Sequence, residues 1–256
     1  MADRRDSAER LAGRAVQIVF LLGLLALWYC ATNFWGVNHL LLPNPVEVFH
    51  QLIDVLESGE YLPDLRITMT EFAIAFILAT TAGTVVGFFV SRSRYAIRVF
   101  DPLFSGIYAI PIILFLPLYI LFFGLGPASK IALGATIGFF PIVLSTIAGF
   151  GNVDRTLVTA ARSMGASNYQ MFRYVLVPAA LPVILSGLRI GFTVALLSIL
   201  GSETVASLAG LGHHIVQLAE NMEMARMFAY ITFVVAITVL LNGLVSHLET
   251  RGRRHG

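Results

Sequence analysis

Residues 131–153 read IALGATIGFFPIVLSTIAGFGNV, twenty-three positions without a charged side chain. Coiled as a helix, such a stretch is about 34 Å long at ~1.5 Å per residue, enough to cross roughly 30 Å of hydrocarbon. Four more stretches share this character: Phe72–Val90, Leu103–Leu125, Ala179–Ser202 (interrupted by Arg189) and Met227–Ser246. A sixth runs from Ala15 to about Phe34, where only Gln17 and Asn33 are strongly polar. Across all 256 residues, 57% are apolar and 12% charged, with a mean hydropathy of +0.81. A soluble domain carries roughly twice that charged fraction. The chain reads as an all-α polytopic membrane protein with one transmembrane domain over 15–248, flanked by tails 1–14 and 249–256. The expected spans are 15–34, 66–90, 102–125, 131–153, 179–203 and 227–247.

The first apolar run is longer than a signal-peptide core and lacks a small-x-small exit. Trp28 and Tyr29 are too bulky beside Cys30 for a lipid-attachment site, and a lone cysteine makes no internal disulfide. Cys30 reads as lipid-facing or as packing filler.

Immediately after 131–153 the chemistry changes. Residues 154–178 form a polar island, and their caps specify two short helices. Asp154 suits the N-cap of a helix over Thr156–Met164, and Gly165 suits its left-handed stop. Ser167 with Gln170 three residues on forms a capping box for a second helix. Pro178 and Pro182 mark the return to the membrane. Ordinary loops between spans are shorter and less capped. A structured helix pair held in water between two spans suits a soluble partner.

Lysine and arginine placement sets the sidedness. Arg4, Arg5, Arg10, Arg14, Arg92, Arg94, Arg98, Arg155, Arg162, Arg173, Arg251, Arg253 and Arg254 fall on one side; Arg66, Lys130 and Arg226 fall on the other. The rule puts both termini and 154–178 in the cytoplasm. The opposite face holds Glu47, Asp54, Glu57, Glu60, Asp64, Glu220 and Glu223. The basic residues are scattered flanks, not a nucleic-acid patch.

Past the first span, Asn44, Pro45 and Glu47 occupy the N-cap, first and third positions of a helix that Gly59 can stop. Val46, Phe49, Leu52, Ile53 and Leu56 recur at helical spacing. This predicts a short amphipathic helix on the outer membrane surface, with interfacial anchoring favoured over receptor docking. Pro111 and Pro117 are expected to bend the third span, which is tolerated where protein or a watery path satisfies the freed backbone. Gly134 and Gly138 allow close helix approach in the fourth.

Ala160-Ala161, Gly165, Val175 and Val177-Pro178, extended by Ala179-Ala180-Leu181-Pro182, resemble the EAA loop of permease subunits in bacterial ATP-binding-cassette importers. Leu42-Pro43-Asn44-Pro45, Ala109-Ile110-Pro111, Phe123-Gly124-Leu125-Gly126, Gly187-Leu188-Arg189 and Gly210-Leu211-Gly212 resemble the nitrate/sulfonate/taurine branch of that family. The resemblance runs in order from about residue 40 to the C-terminus. Two positions depart from the signature. Thr159 stands where it has glutamate, so a charged contact made there by relatives is absent, and Val177 replaces leucine.

The resemblance implies a chain in the bacterial cytoplasmic (inner) membrane that performs no bond chemistry and binds no cofactor. A second permease copy, or a sister chain, would complete the path among the membrane lipids. Two ATPase subunits would use ATP and Mg²⁺, and an extracytoplasmic solute-binding protein would deliver cargo. Thr159, Ala160, Ala161, Arg162, Gly165, Ala166, Val175 and Pro178 would form the surface that meets the ATPases. The branch implies a small organic anion or zwitterion as cargo. Independently, a phosphate-binding loop needs Gly-x-x-x-x-Gly-Lys-[Ser/Thr]. The only lysine, Lys130, follows Ser129 and precedes Ile131, so no such loop exists.

Glu203 and Arg189 are expected residues of a translocation path, since charges at membrane depth usually face protein or water, and Pro111 joins them as a bend of the third span. Glu203 divides evenly between a path role and structural hydrogen bonding, whereas bracing is favoured for Arg189. At ~1.5 Å per residue the two stand about 21 Å apart along one helix and cannot pair within it. Glu71 reads as interfacial. His213 and His214 point about 100° apart on a helix, which does not converge on a metal. The rival readings are an ion-coupled secondary carrier, for which the halves show no matching repeat, and an intramembrane enzyme. Neither needs a capped helix pair in water.

Overall fold

The computed structural model describes residues 2–34, 38 and 41–253, and among them helices and turns account for the chain, with no strand. Five helices are long and apolar enough to cross a membrane: Ala15–Asn33, Leu62–Ser91, Pro127–Gly151, Asn168–Val205 and Met224–His247. A sixth crossing is available if the bent pair Arg94–Tyr108 and Ile112–Phe123 counts as one span. The chain folds as two compact units. One joins the chain through Tyr61 to Ile215–Phe233, and the other joins Leu62–His214 to the chain from Val234 onward.

In the first unit, α1 (Ala2–Asn33) begins well before Ala15, so the basic segment expected as a tail is helical and continuous with the span. Trp28 Nε1 donates to the Pro43 carbonyl at 3.0 Å, fixing the chain's turn into α2 (Pro45–Ser58). Asn44 caps α2 through the Val46 N–H, and Gly59 ends it at φ 68°. Val48 and Val55 are buried, whereas Val46, Phe49, Ile53 and Leu56 of the predicted stripe stay exposed. The protein therefore consumes one face of α2 and leaves the stripe free. Glu60 accepts from Arg226 and, at 3.3 Å, from the buried Tyr230 hydroxyl.

The second unit is organised around α6 (Pro127–Gly151), which lies between α3 (Leu62–Ser91) and α9 (Val177–Val205). Three glycine pairs spaced i, i+4 explain the close approach. A Cβ on Gly83 or Gly87 of α3 would stand 2.8 Å from Ile142 Cγ2 or 2.6 Å from Thr146 Cβ of α6. On α9, a Cβ at Gly187 would overlap Ser145 Cβ, and one at Gly191 would stand 2.6 Å from Ile142 Cγ1. Gly134 and Gly138 face Ala75, Ala79, Ala195 and Ile199. Lipid tails supply no hydrophobic drive between helices, so such small-residue seams carry the packing through dispersion. Phe72, Phe192, Leu196 and Ile199 fill the space beside the seams, with Phe72 and Phe192 edge to face at 4.8 Å. Thr193 donates to Asn242 Oδ1 at 2.7 Å, tying the second half of α11 (Met224–Arg253) to α9.

The stretch expected as one proline-bent span over 102–125 is bent, and differs only in breaking into two helices at Pro111 while Pro117 leaves its helix intact. It is α4 (Arg94–Tyr108), a 3-10 turn (Ile112–Phe115) and α5 (Leu116–Phe123), bent by 73°. Pro102 lies inside α4 without ending it, and Pro117 sits in the first turn of α5, where its missing N–H is harmless. The break falls at Ala109–Pro111, because a residue before proline is pushed out of the helical region. The return after residue 171 also differs. Asn168–Val205 is a single run, and the backbone widens into a π-turn over Phe172–Leu176 just before Pro178. That wider turn gives the proline ring the space an α-turn denies it.

Candidate functional site

The connection between α6 and α9 is a hairpin at one end of this body. Asp154 Oδ1 accepts from the Thr156 N–H at 2.8 Å and starts α7 (Arg155–Ser163). That hydrogen bond holds the Asp154 carboxyl below its ordinary 3.8. At the other end of α7, the Gly165 N–H reaches the Arg162 carbonyl at 2.9 Å and the Ala166 N–H the Ala161 carbonyl at 3.0 Å. This pair of bonds is a Schellman stop, and it needs the left-handed φ of +78° that Gly165 adopts. Ser167 and Gln170 then exchange their capping-box bonds at 3.3 and 2.8 Å and start α8 (Asn168–Met171).

The predicted coupling residues divide by exposure. Thr159, Ala160, Arg162 and Gly165 face outward, while Ala161, Ala166, Val175 and Pro178 are half-buried and carry the loop on the helices behind it. Around the outward set, Leu157, Met164, Tyr169 and Tyr174 are exposed, Met164 by 87%. Phe172 sits in a ring cluster with Phe88 of α3 and Phe150 of α6, at 5.4 and 6.3 Å, and Arg92 lies 5.9 Å over Phe88. The hairpin is thus an exposed apolar knuckle on a stiff mount.

The antiparallel course of α6 and α9 places Glu203 at the opposite end, the head of the body. Glu203 is buried, with both oxygens engaged: Thr68 donates to Oε1 at 2.7 Å and the Gly212 N–H to Oε2 at 2.8 Å. Lys130 is buried beside it, donating to the Leu125 and Gly126 carbonyls at 2.9 and 3.1 Å. Its charge acts on both Glu203 and Glu71. Glu71, read from sequence as interfacial, is 2% exposed, and its Oε2 has no hydrogen-bond partner. The correction has a simple cause: α3 turns that side toward α6 and α9, where Thr68, Phe72 and Ala75 are also buried. Asp64, Thr68, Glu71 and Lys130 were missed as members of one cluster. The signals present were a sole lysine and the Gly-Leu-Gly that follows Glu203.

The other two path residues stand apart from this cluster. Pro111 is exposed at the break, and the turn after it approaches α9, where a Cβ on Gly201 would stand 3.5 Å from Ile113 Cδ1. Arg189 is exposed midway along α9. His214 faces Asp64 at 3.4 Å, and among the described residues no group of three His, Cys, Asp or Glu is placed to hold a metal.

Comparison with known proteins identifies the family. Residues 71–254 match the family described as binding-protein-dependent transport system inner membrane component. The putative aliphatic sulfonates transport permease protein SsuC of Escherichia coli is 32% identical over 227 residues, covering 89% of this chain and 83% of the relative. The taurine transport system permease protein TauC of the same organism is 30% identical over 233 residues, covering 89% and 85%. The riboflavin transport system permease protein RibX of Chloroflexus aurantiacus is 30% identical over 251 residues, covering 97% and 93%. In fold, the chain is similar to a permease chain in the inward-facing MetNI methionine ABC transporter, with TM-score 0.62 and 20% identity over 76% of this chain and 94% of that one. The apolar helical spans, the hairpin between α6 and α9 and these matches make the chain a multi-pass permease subunit of the binding-protein-dependent ABC importer family, in the branch of the sulfonate and taurine permeases.

Proposed function

We propose that this chain forms the membrane path of an ATP-driven importer for a small organic anion or zwitterion, of the sulfonate, taurine or nitrate kind. In this reading residues 154–178 face the cytoplasm, with both termini, and seat in two ATPase subunits that use ATP and Mg²⁺. An extracytoplasmic solute-binding protein delivers the cargo, and a second copy of the chain completes the path. Pro111 and Arg189, exposed on the single chain, are assigned in this reading to that path or to the contact with the second copy.

The observation that carries the reading is the knuckle itself. A hairpin with two N-caps, a Schellman stop and exposed Leu157, Met164 and Tyr169 is ordered without burying its own apolar face. Apolar residues held out in water on a rigid mount mark a protein contact. Thr159 supplies no charge, so the contact is made by packing, with exposed Arg155, Arg162 and Arg173 around it. Cargo chemistry follows the relatives: TauC and SsuC are the taurine and aliphatic sulfonate permeases.

A second reading of the cargo has its own support. The bend leaves a cavity of about 380 Å³ walled by Phe115, Tyr119, Phe123 and Phe140, with the Tyr119 hydroxyl on Thr136 at 2.9 Å. Ligand sites have this size and this mixture of aromatic wall and sparse polar groups. RibX is a riboflavin permease, and a planar heterocycle suits such walls. The test is purification from the native host in mild detergent. ATPase subunits that stay with the wild-type chain and leave on Met164→Glu support coupling through the knuckle. A chain that purifies alone and carries taurine into liposomes without ATP sinks it.

A further inference from the structure

Three consecutive donors open α10 (Leu211–Glu220), and each is taken by a side chain from another helix. The Gly210 N–H donates to Asp64 Oδ1 at 2.9 Å, the Leu211 N–H to Thr68 Oγ1 at 3.0 Å and the Gly212 N–H to Glu203 Oε2 at 2.8 Å. The Thr68 hydroxyl closes the set by donating to Glu203 Oε1. A helix usually meets these needs with its own N-cap side chain. Here the cap position is Gly210, at φ +108°, and two of the acceptors come from α3. The first turn of α10 is therefore completed only where α3 and α9 lie together.

The fit leaves no slack. A Cβ on Gly210 would collide with Glu203 Oε1, and one on Gly212 would stand 2.5 Å from the Leu200 carbonyl and 2.7 Å from Glu203 Cβ. Two carboxylates at a helix N-terminus also meet the positive end of its dipole. Lys130 offsets the charge of Glu203 from within the body. The same α3, α6 and α9 carry the hairpin at their far end, through the Phe88, Phe150 and Phe172 cluster.

We infer that Asp64, Thr68 and Glu203 form a standing latch that makes the first turn of α10 and the loop 206–210 move as part of the α3–α6–α9 body. A displacement entering at the hairpin then reaches the exposed Leu208 at the head without loss. Glu203 is a positioning residue in this arrangement, since both its oxygens are occupied and it is 1% exposed. The functional half of the inference rests on the proposed entry of force at residues 154–178. The latch itself does not.

Thr68→Val tests it, because valine keeps the shape but removes both the acceptor for Leu211 and the donor to Glu203. In the purified chain, amide hydrogen exchange over 206–212 is expected to rise about tenfold or more in Thr68→Val, with one donor left unsatisfied. Thr68→Ser should stay at the wild-type rate, and exchange over 154–166 should not change in either. Exchange over 206–212 that is unaltered in Thr68→Val overturns the latch. If Thr68→Val does not fold, Asp64→Ala at a half-buried site gives the same reading through Gly210. A second measurement addresses movement, with spin labels at Leu62→Cys and Leu208→Cys in a Cys30→Ser background. In the whole transporter the distance is expected to be equal in the nucleotide-free and vanadate-trapped states, and a change between the states overturns a standing latch. The exchange arm needs this chain alone, so absence of ATPase subunits would refute the coupling reading while leaving the latch to its own test.

Discussion

Replacing Gly165 separates conformation from bulk at the hairpin. An added Cβ there meets no atom within 4 Å, so a side chain has room. The obstacle is the backbone, at φ +78°, a region that costs an ordinary L-residue about 1–2 kcal/mol. Gly165→Ala should therefore shift the balance between turned and unturned loop by roughly 5- to 30-fold. Asparagine tolerates the left-handed region better than alanine although it is larger, and valine tolerates it worse. Binding of ATPase subunits to the variant chains in nanodiscs should weaken in the order Asn, Ala, Val. The Ala loss should not exceed about 30-fold, because affinity falls only by the fraction of competent loop. Hydrogen exchange over 154–166 should accelerate in the same order. Losses that follow side-chain volume, with asparagine worse than alanine, would refute the reasoning, as would a Val variant that binds like wild type.

Other substitutions probe the remaining features. Gly187→Ala drives a Cβ into Ser145 Cβ and should lower the thermal stability of the purified chain by about 1–3 kcal/mol, with Ser145→Gly recovering part of it, since the Pro141 carbonyl also stands 2.9 Å from that Cβ. Lys130→Met leaves the Leu125 and Gly126 carbonyls without their donor and removes the cation that acts on Glu71 and Glu203; about 1–3 kcal/mol should be lost in the same unfolding assay. Glu71→Gln alone should be close to neutral, since Oε2 already lacks a partner, and it should offset part of the Lys130→Met loss. At the hairpin, the folded Asp154 carboxyl lies below its ordinary 3.8. Its contribution is therefore present above pH 3.8 and lost as pH falls through the depressed folded value. Exchange over 154–166 should show that acid-side loss in the wild type but not in Asp154→Asn, which keeps a capping oxygen without the titration.

What was legible in the sequence is what local chemistry decides. Asn44, Gly59, Asp154, Gly165 and the Ser167–Gln170 box each act within a few residues of themselves, and each appears in the structure in its expected cap. The break of the third span was only half legible. Pro102, Pro141 and Pro182 lie inside helices that continue through them, and the break falls before Pro111. Which proline breaks a helix depends on whether neighbours satisfy the freed carbonyl, a tertiary matter. Of the head cluster only Glu203 was legible, as a charge at membrane depth, and its partners were not. Thr68 and Glu203 are 135 residues apart, and no periodicity relates them. Glu71 follows Asp64 and Thr68 along α3, but its burial depends on the rotation of that helix against α6. The glycines at 83, 87, 187 and 191 also follow a pattern too common in membrane helices to single out a seam.

The two ends of the body depend on one another through those seams. A latch at the head transmits nothing if α9 slides along α6 when the hairpin is pushed. Sliding by one residue of helix, about 1.5 Å, would carry the backbone at Gly187 off the recess it shares with Ser145 and bring flanking side chains against α6. The neighbouring side chains are Ser186 and Leu188, both larger than the space a bare glycine occupies there. Close-packed surfaces of this kind are bistable rather than continuously deformable. The helices therefore move together or not at all, and the bent α4–α5 pair, which buries no residue of α4, is the element free to shift against them. A label on exposed Tyr95 of α4 should accordingly change its distance to Leu62 between the nucleotide-free and trapped transporter, while the Leu62–Leu208 distance stays fixed. If instead the Leu62–Leu208 distance changes and the α4 distance does not, the glycine seams are not what makes this body rigid.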